Sequence, residues 1–90
     1  MSTRTGMSIT FKSGGYRAVG LYVSCTNPQT GKTDTEVVGV NTTPESCALL
    51  LSKACASVGY SSPVKGANVE ILGKGMVVKA VGPVFDKKDF

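Results

Sequence analysis

Ninety residues with ten basic against six acidic side chains, a formal net charge of +4, 41% hydrophobic and 18% charged residues suffice for one domain and are too few for two. That balance excludes wholesale disorder, and no apolar run reaches the ~18 residues of a membrane span. Histidine and tryptophan are both absent, which removes the commonest general base, the commonest metal ligand and every Ser-His or Cys-His arrangement.

Along the chain, Met7, Ile9 and Phe11 alternate with Ser8, Thr10 and Lys12, the period of a half-buried strand. Ser13-Gly14-Gly15 supplies residues that tolerate positive φ and predicts a hairpin into the next run. That run, Tyr16 to Cys25, puts Val19, Leu21, Val23 and Cys25 on one face and Tyr16, Ala18, Gly20, Tyr22 and Ser24 on the other. The polar segment from Thr26 to Lys32, with Pro28 and Gly31, reads as a longer loop. A third strand is expected at about Thr33–Val40. Its parity is ambiguous because Val37 and Val38 are adjacent and face opposite ways, which predicts a bulge near Gly39 or burial on both faces.

Asn41-Thr42-Thr43-Pro44-Glu45 marks the start of the one helix, expected from about Thr43 to Val58. Proline suits a first turn, a threonine precedes it as cap, and Thr42 with Glu45 fits a capping box. Cys47, Leu50, Leu51, Ala54, Cys55 and Val58 recur at three- and four-residue steps as an apolar stripe. Gly59 ends the helix, and Pro63 prevents its continuation. Val64 to Ala67 returns the chain to the sheet, Asn68–Leu72 is a fourth strand, and Gly73-Lys74-Gly75 turns into a fifth, Met76–Val81. Residues 1–6 and 84–90 are expected to be mobile tails. The order β-β-β-α-β-β predicts a single α+β domain over 1–90, an antiparallel sheet of about five strands packed on one helix with its other face uncovered.

Reactive constellations are missing. Cys47 and Cys55 lie eight residues apart in the expected helix, about 12 Å along its axis, too far to bridge. Together with Cys25 they lack zinc spacing, so no cofactor or metal is expected. The three thiols read as small buried hydrophobes. Their odd number, with no signal-like stretch at the N-terminus, points to a reducing cytoplasm. Gly31-Lys32-Thr33 has the end of a phosphate loop without its first glycine or a following helix. Asp34 and Glu36 share a strand face, where a solvated edge explains them better than acid-base catalysis.

Charge is unevenly spread: residues 1–33 carry Arg4, Lys12, Arg17 and Lys32 and no acid, and six lysines face three acids from Ser46 onward. Such an excess favours a phosphate backbone or an acidic protein, and it is equally a route to solubility. On the outward face of the first strands, Tyr16 and Tyr22 stand among small residues, where they could stack on single-stranded bases, anchor a protein interface, or contribute only β propensity. An unprotected sheet edge also invites strand addition or a homodimer.

The element order and the hairpin Val69-x-Ile71-Leu72-Gly73-x-Gly75-x-Val77-Val78 resemble some small phage-encoded accessory proteins, including certain anti-CRISPR inhibitors. That resemblance implies a protein that works without catalysis by occupying a surface of a larger complex, in the host cytoplasm. The combined expectation is a non-enzymatic interaction protein whose partner is a larger protein or nucleoprotein complex and not a membrane, contacted by Tyr16, Arg17 and Tyr22 with electrostatic help from Lys12 and Lys79. Its rival is a basic protein that binds single-stranded nucleic acid through the same tyrosines and lysines.

Overall fold

The computed structural model describes residues 6–13, 21–39, 42–73 and 75–90. In chain order these form β1 (Gly6–Lys12), β2 (Tyr22–Asn27), β3 (Lys32–Val37), α1 (Pro44–Ser57), β4 (Val64–Lys65), β5 (Asn68–Leu72), β6 (Val77–Val81) and β7 (Val84–Asp89). Side chains alternate between faces as strand geometry requires: Met7, Ile9 and Phe11 of β1 are buried, as are Val23 and Cys25 of β2 and Val69 and Ile71 of β5. The fold is α+β, with one helix packed on antiparallel strands.

The strands divide into two sheets where one was expected. The first has the order β4-β5-β1-β7 and the second β3-β2-β6, with every pair antiparallel. The hairpin expected at Ser13-Gly14-Gly15, with the start of the strand that follows it, lies largely outside the described residues; among the described strands β1 pairs with β5 and β7 while β2 pairs with β3 and β6. Gly73 to Gly75 connects β5 to β6 across the sheets. The helix lies between the two: α1 packs on β1 and β5 of the first sheet and on β2 and β3 of the second, so strands of both bury their apolar faces against the same element. One buried cluster results, containing Ile9, Val23, Cys25, Leu51, Cys55, Val69 and Ile71.

The C-terminal segment corrects a second expectation. Residues 84–89 form β7, paired with β1 from Met7↔Asp89 to Lys12↔Val84, and Gly6 and Phe90 exchange two backbone hydrogen bonds of 2.9 and 3.0 Å. Phe85 packs on Phe11 with ring centroids 6.1 Å apart. The charges of Asp86, Lys87, Lys88 and Asp89 that suggested a tail are those of an exposed edge strand. Gly6 belongs to β1, and the rest of the expected N-terminal tail lies outside the described residues.

Both helix ends are chemically fixed. Thr43, rather than Thr42, is the N-cap: its hydroxyl accepts from the Ser46 amide at 3.2 Å, with Pro44 following directly. At the other end the Gly59 amide donates to Ala56 O and the Tyr60 amide to Cys55 O, with Gly59 at φ +98°; this is the Schellman arrangement. The buried stripe is Cys47, Ala48, Leu51, Ala54, Cys55 and Val58, with Leu50 packed at its margin. Asn27 adds a clasp that its place in a turn-like sequence concealed. Its Nδ2 donates to the Val58 carbonyl at 2.8 Å and its Oδ1 accepts from the Gln29 amide at 3.1 Å. Asn27→Ala should therefore lower stability by about 1–3 kcal/mol, because it strips a buried carbonyl of this donor. A urea midpoint indistinguishable from that of the parent would contradict this role.

Candidate functional site

The register of the second sheet defines a face turned away from α1, on which no described element packs. Val23 and Cys25 point from β2 toward α1 and are fully buried, so Tyr22, Ser24 and Thr26 point the other way. Paired residues share a face, which gives three rows across the sheet: Val37–Tyr22–Val81, Thr35–Ser24–Lys79 and Thr33–Thr26–Val77. Val37 is 78% exposed, Val77 47% and Val81 42%. Apart from these three, only Leu49 and Val84 are large exposed hydrophobics among the described residues. Tyr22 is half-buried between two exposed valines. Ser24 is buried at the centre.

Lys79 supplies the one charge among these three rows. It lies diagonally across from Tyr22 and makes no ion pair with any described acid. Asp34 and Glu36, which alternate with the outward threonines of β3, instead turn to the helix side, where Glu36 lies 3.8 Å from the Lys53 ammonium. The uncovered face thus joins an aromatic ring, exposed β-branched side chains and a single cation. Such a composition is typical of the buried centre of protein interfaces, where charge is depleted and tyrosine enriched.

The first sheet presents a different surface. Asn68 Nδ2 donates to Ser8 Oγ at 2.7 Å and to Thr10 Oγ1 at 2.8 Å, and Lys12 pairs with Asp86 at 2.8 Å. These polar groups are satisfied within the sheet, and the exposed ion pair contributes little in water.

Of the residues expected to make contacts, Tyr22 and Lys79 therefore come together, whereas Lys12 lies on the other sheet and is occupied by Asp86. Tyr16 and Arg17 lie outside the described residues. Val37, Val77 and Val81 complete the patch and were not anticipated. The outward parity of Val77 and Val81 with Lys79 is readable from the alternation in β6, but the cross-strand neighbours that make it a patch are not.

The cysteines belong to the interior. Cys25, Cys47 and Cys55 are fully buried and form no disulfide, and the thiols of Cys25 and Cys55 influence each other across the contact between β2 and α1. The neighbouring Cys25 thiol raises the Cys55 pKa, and burial adds to the effect; a thiol is thereby held neutral in the core. Among the described residues no group of three or more His, Cys, Asp or Glu side chains could hold a metal ion. A shallow cleft of about 350 Å³ lies between Gly6, Met7, Gly73, Gly75, Met76 and Phe90, with Lys87 and Asp89 on its rim. Those two rim charges lie 3.8 Å apart as an ion pair. No described helix is long and apolar enough to cross a membrane.

No protein-family model, curated protein or solved structure matches this chain.

Proposed function

We propose that this protein is a small non-catalytic interaction module that binds a larger protein or nucleoprotein assembly through the uncovered face of its second sheet. The observation carrying this reading is the Val37–Tyr22–Val81 row, in which a half-buried tyrosine lies between exposed valines beside a lysine that pairs with no described acid. Leaving such side chains in water gains nothing for the fold, whereas covering them removes apolar area from solvent. A tyrosine flanked by β-branched residues is a suitable anchor, because few rotatable bonds are frozen on contact. The chain acts by occupancy in this reading, without catalysis.

Affinity capture from the native host tests it. Tyr22→Ala should weaken retention of the captured partner by at least about tenfold, as expected for a central aromatic anchor, while an outward change on the first sheet, Lys88→Ala, should leave retention unchanged. Equal recovery by the parent and Tyr22→Ala would remove this face from contention.

The juxtaposition of Tyr22 and Lys79 also supports single-stranded nucleic acid as the ligand, through base stacking and a phosphate contact. Salt separates the two readings. Phosphate-driven binding weakens steeply as salt rises, and an oligonucleotide panel that shows no binding at low salt ends the second reading.

A further inference from the structure

Resting on that reading, we propose that β6 is the docking edge: it accepts an extended segment of the partner as an added antiparallel strand, with a carboxylate facing Lys79 and apolar side chains two residues to either side.

The four sheet edges differ sharply in how they are protected. β4 is only two residues long. β7 carries Asp86, Lys87, Lys88 and Asp89, and β3 carries Lys32, Asp34 and Glu36, the last held to Lys53 of α1. Short length and dense charge are the usual means of keeping an edge from pairing. β6, Val77-Val78-Lys79-Ala80-Val81, has full strand length, three valines and one charge. Among the described residues it pairs only with β2.

Lys79 then selects the occupant. In a two-fold antiparallel pairing of β6 with β6 of a second copy, the register that matches all five residues sets Lys79 opposite itself. Like charges directly opposed destabilise a cross-strand pair, and two chains of net charge +4 repel at longer range as well. A partner strand bearing Asp or Glu at that position converts the repulsion into a cross-strand ion pair. Its residues two places to either side would lie beside Val77 and Val81, and would extend the rows that end at those valines. Backbone hydrogen bonds supply affinity in such strand addition and the alternate side chains supply specificity.

The test uses a display library of random peptides about nine residues long, a span that covers one added strand, selected on the full chain. The expected outcome is enrichment of an acidic residue flanked two positions away on each side by Val or Ile, with the synthesised consensus peptide shifting the amide resonances of Val77–Val81. Replacing its acid by lysine should weaken binding roughly threefold to tenfold, and Lys79→Glu, an exposed change checked for folding by its amide spectrum, should reverse that preference. The proposal is overturned by absence of enrichment, by a consensus without an acid, by amide shifts away from β6 or by a preference that Lys79→Glu does not reverse. Sedimentation of the free chain as a dimer with protected β6 amides would equally overturn it. Failure here together with host capture that still depends on Tyr22 would refute strand addition and leave the binding face standing.

Discussion

Gly82→Ala is expected to destabilise the protein by about 2–5 kcal/mol, the sum of two effects at one residue. Gly82 joins β6 of the second sheet to β7 of the first, with φ at +99°. A side chain at left-handed φ costs about 1–2 kcal/mol by itself. A β-carbon there would also enter the space filled by the Leu21 side chain, which is 2% exposed and cannot swing into solvent; overpacking of this kind adds about 1–3 kcal/mol. Gly31→Ala is the internal control. Gly31 has φ of +73°, but a β-carbon there meets nothing within 4 Å, so only the backbone effect applies. Urea denaturation of the two variants should show the Gly82 change clearly larger. Equal midpoints would mean that Leu21 does not pack against the crossover between the sheets.

Leu51→Ala should have a comparable effect, about 2–5 kcal/mol, through the cavity it leaves. Leu51 is fully buried on α1, the element that packs on strands of both sheets. A domain of this size has a total stability of about 5–15 kcal/mol, so the variant would lie near its unfolding threshold. The distinctive outcome is where the loss appears. Amide exchange should quicken both at Ile9 of β1 and at Val23 of β2, because the two sheets lean on the same helix. Acceleration confined to one sheet would show that the sheets do not share one cooperative core. Leu49→Ala, two residues away and 60% exposed, should change stability by no more than about 0.5 kcal/mol.

The helix was readable almost to the residue, because its signals are local: Thr43-Pro44 at the start, Gly59 at the stop, and a stripe that repeats at three- and four-residue steps. Strand faces were readable for the same reason, as the burial of Val69 and Ile71 around Glu70 and of Val78 and Ala80 on the core side of β6 illustrates. Strand partners were not. Nothing in Met7-Ser8-Ile9 specifies that it pairs with Asn68–Leu72 and Val84–Asp89 rather than with the run that follows it, because the pairing depends on long-range packing around α1. β7 was missed because an edge strand needs only one inward anchor, here Phe85 on Phe11, and its charges otherwise imitate a solvated tail.

The same distinction governs the candidate site. Tyr22 could be assigned to an outward face from alternation alone, and Lys79 could be assigned to the outward parity of its own strand. That the two lie on one sheet, with Val37 and Val81 to either side of Tyr22, depends on β2 standing between β3 and β6. Lys12 shares the outward parity but falls on the other sheet, against Asp86. Two outward faces that look equivalent in sequence are therefore different surfaces: one has its polar groups satisfied across the strands, and the other leaves apolar side chains and one cation uncovered.

Site-specific photo-crosslinking tests the binding face most directly. A photoreactive residue placed at Val37, on the uncovered face of the second sheet, should couple the chain to its partner in host extract, and Tyr22→Ala in the same chain should abolish the product. The same residue placed at Lys88, on the first sheet, should yield none. A product from Lys88 with none from Val37 would contradict the account and transfer the binding surface to the first sheet.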